Sequence, residues 1–326
     1  MLKSISLNKH KYSNIFKYGV GLFAFVYIYI RIDESITSDF FQTFSFINLT
    51  YTQYIYLILS VVFMFGNWGI EAYKWKLLME PIEKISYIDS IKATLSGISV
   101  GMFTPNRIGE FGGRVLYISK TNRFKAGVFT VMGSFSQLIV TMILGGLSFI
   151  YVLYDRTQLS DIITIALFSI SILASLALLS IYYNYTFLWH YVKKTFIYHL
   201  IKKTNIKLTV LSKVILNKSL FLSLLRYSVF NIQYVLLLYG LGFELNIIIC
   251  LIATSTVFFI QTAVPTVALF ELGIRSAGAI GIFSLFEANE AMVIIASILL
   301  WLINLIIPAL LGLFFLMFSK YDRIQL

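Results

Sequence analysis

The segment Thr104–Arg114, TPNRIGEFGGR, places two guanidinium groups and a carboxylate directly after an apolar run from Ala93 to Phe103. Arginine offers a planar fork of N–H donors that matches the oxygens of a phosphate group. A helix that is broken at this point can also aim its free N-terminal amides at an anion. The arginines therefore favour a phosphate, such as that of a lipid head group, near Arg107 or Arg114, whereas the glutamate would equally suit a cationic head group.

The other residues of this segment predict its local structure: an ion pair, a helix end and points of close backbone approach. Glu110 and Arg114 are four positions apart, so on a helix they share one face and can pair. Such a pair either only pins the segment in place or opens to receive a polar ligand, and the two roles do not exclude each other. Pro105 ends the preceding helix, and three glycines permit close backbone approach or unusual dihedral angles: Gly109, Gly112 and Gly113.

The same pattern recurs 161 residues later, since Glu110–Arg114 and Glu271–Arg275 both read Glu-x-Gly-x-Arg. The second copy contains Gly273 and follows Pro265 by six residues, and it also comes after an apolar run. Arg275 is therefore a second candidate for a lipid phosphate, and Glu271 is its potential partner. The repetition predicts two similar helical hairpins, one in each half of the chain.

The elements that carry these motifs belong to a membrane protein. The 326 residues are 59% hydrophobic and only 13% charged, whereas soluble domains have about 25% charged residues. A bilayer core of roughly 30 Å requires about 20 helical residues. Six apolar runs meet this requirement: 16–32, 53–72, 127–153, 162–183, 219–241 and 291–318.

The basic residues predict the topology, because Lys and Arg concentrate in cytoplasmic loops. Of 26 Lys and Arg, 22 fall in segments that six crossings place inside, which explains the net charge of +11 without nucleic acid. The largest group follows the second run: Lys74, Lys76, Lys84, Lys92, Arg107, Arg114, Lys120, Arg123 and Lys125. Both termini are then cytoplasmic. Runs 86–118 and 246–286 each enter and leave on one side, as re-entrant hairpins do where protein or a wet cavity surrounds them.

The predicted fold class is an all-α, polytopic integral membrane protein with one membrane domain over residues 1–326. It has six transmembrane helices and two re-entrant helical hairpins, arranged as two repeats of approximately 15–155 and 160–318. Each repeat crosses the membrane three times, and because three is odd, the second repeat is inverted relative to the first. Such repeats are typical of transporters. Residues 184–218 hold seven lysines and no acid, which predicts a cytoplasmic amphipathic segment on the anionic inner leaflet.

Other polar residues have simpler expected roles. Arg226 is expected to snorkel to the cytoplasmic interface. Six amides within apolar runs are expected to hold helices together: Asn67, Gln137, Asn231, Gln233, Gln261 and Asn304. A single cysteine and three scattered histidines predict no disulfide and no metal site. We find no catalytic constellation and no nucleotide-binding loop, and we expect no cofactor.

Together these features resemble the lysylphosphatidylglycerol synthase transmembrane family, the flippase-like membrane region of multiple peptide resistance factors. The resemblance covers about residues 15–318. Five residues of the first motif stand where the family has them: Pro105, Arg107, Gly109, Glu110 and Arg114. The second motif departs from the family, because Pro265 is followed by TVALF where the family commonly has a glycine-rich turn.

The resemblance implies a lipid-handling protein of the cytoplasmic (inner) membrane that moves or presents a phospholipid or a lipid-linked intermediate for cell-envelope biosynthesis. The expected head-group residues are Arg107, Glu110, Arg114, Glu271 and Arg275. We expect no synthase activity, since that activity resides in a separate soluble domain in the resistance factors. The alternatives are a non-catalytic partner of a glycosyltransferase or lipid-modifying enzyme, and an intramembrane lipid-modifying enzyme. The lipid, the direction and energy coupling of transport, and the oligomeric state stay open.

Overall fold

The computed structural model describes residues 49–104, 107–187, 210–264 and 268–318, without the side chains of Lys120 and residues 268–271. Regular secondary structure in these ranges is entirely helical, which confirms the all-α class. Ten α-helices are described: α1 Tyr51–Met79, α2 Tyr87–Met102, α3 Gly109–Val115, α4 Arg123–Thr157, α5 Asp161–Tyr183, α6 Lys213–Gly240, α7 Ile247–Ala263, α8 Ala268–Phe283, α9 Glu290–Trp301 and α10 Ile307–Phe318. A π-helical turn, Leu302–Ile306, joins α9 to α10.

Within the described ranges, five helical stretches are long and apolar enough to cross a bilayer: α1, α4, α5, α6 and the continuous stretch from α9 to α10. They establish a multi-pass helical membrane protein, and they correspond to five of the six predicted crossings. The first predicted crossing, residues 16–32, lies outside the described residues. So do Pro105, Pro265, both termini and residues 188–209 of the predicted amphipathic segment, while its end from Lys213 onwards belongs to α6.

Short polar residues define where several helices begin. Thr50 and Gln53 form a reciprocal capping box at the start of α1, which satisfies backbone groups that have no partner within the helix. The side chains of four further N-cap residues accept backbone hydrogen bonds at α2, α6, α7 and α9: Ser86, Ser212, Asn246 and Asn289. These caps fix the ends of the helices that surround the site.

The two motif-bearing segments each form a pair of short helices, α2 with α3 and α7 with α8. In the first pair the helices approach closely because Gly97 and Gly113 face each other; a Cβ added at Gly113 would lie 2.7 Å from Gly97 Cα. Each pair also packs against a long span of the other half of the chain, α2 against α10 and α7 against α4. Helix α1 packs along α6.

The apolar interior lies in two clusters. One joins the second half of the chain to α1 and contains Tyr234, Phe258 and Phe283. The other surrounds Trp75 and includes Phe129. Helix α5 contacts α4, and of its 23 residues only Thr164 and Tyr182 are buried, so most of its surface is left to face lipid.

Candidate functional site

A cavity of about 220 Å³ lies between the two helix pairs and is bordered by α1, α4, α6 and α9. Three arginines line it: Arg107 from the turn between α2 and α3, Arg226 from α6, and Arg275 from α8. The structure therefore brings an arginine from each of the two motif-bearing segments to the same space, although the first, Arg107, precedes the repeated Glu-x-Gly-x-Arg pattern itself. The described lining residues include no acid.

Arg107 adopts the left-handed backbone region, with φ of 56°. This conformation costs an L-residue with a side chain roughly 1–2 kcal/mol, so the surrounding turn must stabilise it. Thr104 contributes twice: its carbonyl accepts from Arg107 N at 3.2 Å, and its Oγ1 accepts from Gly109 N at 2.7 Å. Backbone strain of this kind is often found at binding sites.

Arg226 is held by three groups of α1. Its Nε donates to Asn67 Oδ1 at 2.9 Å, its Nη1 lies 3.2 Å from Glu71 Oε2, and its Cζ lies 5.0 Å from the Trp68 ring centroid. The expectation that Arg226 snorkels to the interface is therefore wrong. It lies 13 residues into α6, and α1 supplies an acid, an amide and an aromatic face in the interior.

Glu71 is the centre of a buried ion network that the sequence analysis did not single out. Its side chain is 5% exposed and contacts Arg114 Nη1 at 2.9 Å, Lys74 Nζ at 2.8 Å and Arg226 at 3.2 Å. Arg114 also pairs with Glu110 through Nη2, as the spacing of four residues predicts. Three cations thus share two carboxylates. In the sequence, this network could have been predicted from Glu71 and Lys74, an acid and a lysine three positions apart near an apolar run.

Lys74 was expected to follow the second apolar helix, among basic residues of a cytoplasmic region, but it lies within that helix. Helix α1 continues to Met79, and Lys74 is 1% exposed. Its Nζ donates to Ser223 Oγ at 3.2 Å, and Ser136 links this hydroxyl to Ser219 through contacts of 2.8 and 3.0 Å. Ser223 thus accepts a hydrogen bond from the ammonium group that also pairs with Glu71.

A chain of amides extends the polar interior across α1, α6 and the π-helical turn. Asn67 Nδ2 donates to Asn304 Oδ1, and Asn304 Nδ2 donates to Gln233 Oε1, both at 2.9 Å. Gln233 then donates to the Ser60 carbonyl at 2.8 Å. These amides connect helices as expected, and so does Asn231, whose Oδ1 accepts from Thr254 at 3.0 Å. The π-turn widens the helix where Asn304 must reach both partners, and such turns are frequent at functional sites.

The remaining site candidates lie in different surroundings. The side chain of Arg114 is buried and that of Glu110 is 21% exposed; neither lines the cavity. Gln137 and Gln261 do line it. Glu271 lies in α8 with its side chain outside the described part of the chain.

The glycines of the motifs also differ. A Cβ at Gly109 would lie 2.6 Å from Val100 O, so this position requires a glycine, as Gly113 does. A Cβ at Gly112 would meet nothing within 4 Å, and close approach does not account for that glycine. Gly273 is buried within α8.

The guanidinium groups give the cavity a chemistry that suits an anion. Guanidinium groups in a space sheltered by protein offer several charge-assisted hydrogen bonds to phosphate oxygens. Within the four described ranges no group of three His, Cys, Asp or Glu residues is arranged to hold a metal ion. Trp68, Trp301 and Phe258 provide apolar walls beside the arginines, so the cavity suits a group that has both a charged and an apolar part.

Comparison with known proteins identifies the region that contains all of these features. Residues 18–312 match the family described as Lysylphosphatidylglycerol synthase TM region. Comparison with curated proteins and with solved structures gave no match.

Proposed function

The chain belongs to the family of the lysylphosphatidylglycerol synthase transmembrane region, and from this premise we propose that it moves a phospholipid or lipid-linked intermediate between the leaflets of the cytoplasmic membrane. The family points to a membrane protein of lipid metabolism or translocation. The observation that carries the finer proposal is the convergence of Arg107, Arg226 and Arg275 on one cavity between the two helix pairs. A lipid phosphate in this cavity would be stabilised by groups from both halves of the chain.

The packing of the hairpins supports an inverted repeat. On α4, a Cβ at Gly145 would strike Ser255 O and Phe259 Cβ of α7. On α10, a Cβ at Gly312 would strike the Leu95 carbonyl and the Ser99 side chain of α2. The contacted residues correspond, because Leu95 and Ser255 are 160 positions apart, as are Ser99 and Phe259. Each hairpin thus leans on a glycine of the opposite half, the relationship expected of a two-fold arrangement.

In this proposal the first hairpin enters from the cytoplasmic side and the second from the opposite side, and both termini are cytoplasmic. The head group occupies the cavity near the midplane while the acyl chains stay in lipid. Proteins built from inverted repeats commonly expose a central site to one side and then the other. The two hairpins are the elements whose movement would open the cavity to either leaflet.

A reconstituted-liposome assay tests the proposal. Purified protein is placed in vesicles with a fluorescent lipid, and chemical quenching of the outer leaflet reports exchange, with phosphatidylglycerol compared with phosphatidylcholine. We expect exchange of the anionic lipid, and a loss of at least about tenfold in Arg107→Gln and Arg275→Gln, since each removes a charge-assisted contact of about 1.5–3 kcal/mol. Arg156→Gln is the matched control, because Arg156 lies at the end of α4 beside Asp155.

Two results would count against the proposal. Equal exchange by wild type and by the cavity variants would exclude the arginine cavity as the site. No exchange of any lipid would exclude translocation, and co-purification with an envelope-biosynthesis enzyme would then favour the alternative of a partner that presents lipid.

A further inference from the structure

A groove runs along the outer face of α1, opposite the side that borders the arginine cavity. The lining residues follow helical spacing along α1 and end just beyond it: Phe65, Gly66, Gly69, Ile70, Tyr73, Lys76 and Leu77 of α1, and then Glu80. It consists of two neighbouring spaces of about 540 and 340 Å³ that share Tyr73 and Lys76. From Gly66 to Glu80 the helix rises about 21 Å, at 1.5 Å per residue.

Two glycines create the apolar half of the groove. A Cβ at Gly66 would meet nothing within 4 Å, so the space above it is open. Tyr87 of α2 forms one wall and donates from its hydroxyl to the Gly69 carbonyl at 3.1 Å. Phe65 of α1 and Leu222 of α6 border the same space, and Phe65 is 65% exposed. The result is an apolar trough that is open to the bilayer.

The other half of the groove is polar and carries excess positive charge. Among the residues that the structure describes, Lys76 and Lys84 line it together with a single acid, Glu80. Tyr73 and Tyr87 stand where the apolar and polar halves meet, with ring centroids 6.4 Å apart in an edge-to-face arrangement. Tyrosine occupies this position at membrane interfaces because its ring is apolar and its hydroxyl is polar.

We propose that this groove binds an anionic phospholipid of the surrounding bilayer, with an acyl chain along Gly66–Ile70 and the phosphate between Lys76 and Lys84. The length supports this occupant, since half of a bilayer with its head groups measures about 20–22 Å. The charge supports it as well, because two lysines and one glutamate leave a net positive end. The site is independent of the arginine cavity and does not require that the protein translocate lipid.

Photo-crosslinking of the full-length protein tests the groove. The protein is reconstituted in phosphatidylcholine vesicles that contain traces of phosphatidylglycerol with a photoactivatable acyl chain, and mass spectrometry locates the adducts. We expect adducts on α1 between Phe65 and Tyr73. Unlabelled phosphatidylglycerol should compete about fivefold better than phosphatidylcholine, the effect of one net basic residue at an interface.

Two kinds of variant separate the acyl-chain and phosphate parts of the site. Gly66→Leu should fill the trough and remove most adducts, whereas Gly281→Leu, at another glycine with open space around it, should leave them unchanged. The Lys76→Gln/Lys84→Gln double variant should retain adducts but lose the preference for the anionic lipid. Thermal unfolding of each variant confirms that it is folded.

Adducts spread evenly over the exposed faces of α1 and α5 would overturn the proposal, because bulk lipid would produce that pattern. Equal competition by the two lipids, or an unchanged adduct yield in Gly66→Leu, would do so as well. The readout is binding, so absence of lipid exchange in the liposome assay does not affect it.

Discussion

Arg114 Nη1 donates to Glu71 Oε1 at 2.9 Å, which attaches the second helix of the first hairpin to α1. Arg114 also pairs with Glu110 of its own helix, and it is 3% exposed. Arg107, seven residues earlier, lines the cavity instead. The two arginines of TPNRIGEFGGR therefore have different surroundings: one is enclosed in the ion network that positions the hairpin, and the other borders the cavity.

Replacement of Glu71 by glutamine should destabilise the protein strongly. The substitution leaves Arg114, Lys74 and Arg226 without their shared carboxylate in a buried environment, and removing one partner of a buried ion pair costs about 3–5 kcal/mol. Unfolding of the purified protein in mixed micelles measures the change. Glu80→Gln is the control, because Glu80 is exposed just beyond the end of the same helix. Equal stability of the two variants would show that Glu71 does not hold the network together.

The sequence predicted those parts of the fold that depend on local patterns. Apolar runs of sufficient length gave five crossings that the structure contains, and the spacing of Glu110 and Arg114 gave their ion pair. Both predictions rest on short-range geometry. The crossings follow from comparing helix length with bilayer thickness, and the ion pair follows because residues four apart share one face of a helix. Capping residues such as Thr50 act over the same short range.

The parts that escaped prediction depend on which helices meet. Glu71 and Arg114 are 43 residues apart, and Asn67 and Arg226 are 159 apart. A charged residue in an apolar helix either reaches the interface or finds a partner inside, and its own helix does not determine which. Arg226 finds its partners because α6 packs along the face of α1 that carries Asn67, Trp68 and Glu71.

Substitution of two adjacent glycines in α3 should give opposite results. Gly113→Ala places a methyl group against Gly97 Cα and Ser96 O of α2, and such overpacking costs about 1–3 kcal/mol. Gly112→Ala meets nothing within 4 Å, and in a helix it should be neutral or stabilise by up to about 1 kcal/mol. Thermal unfolding of both variants decides the matter. A larger loss in Gly112→Ala would contradict the close packing of α2 on α3.

Asn304→Leu should destabilise the protein by breaking the amide chain at its middle. Asn67 Nδ2 and Gln233 Oε1 each lose a partner at 2.9 Å, and a buried polar group without a hydrogen bond costs about 1–3 kcal/mol. Ser169→Ala is the control, since Ser169 is exposed on α5 and its hydroxyl donates within its own helix. An Asn304→Leu variant as stable as the Ser169→Ala control would show that the chain of amides contributes little to stability.

Arg226 should matter more for ligand binding than for folding. Glu71 keeps Arg114 and Lys74 in Arg226→Gln, so the loss of stability should be smaller than in Glu71→Gln. The cavity, however, loses one of three guanidinium groups, and each hydrogen bond from a charged group is worth about 1.5–3 kcal/mol. We therefore expect affinity for a phosphatidylglycerol analogue, measured by calorimetry in detergent, to fall about tenfold or more, with only partial recovery in Arg226→Lys, because an ammonium group lacks the planar fork. Wild-type affinity in a folded Arg226→Gln variant would remove Arg226 from the site, and Arg156→Gln should bind as the wild type does.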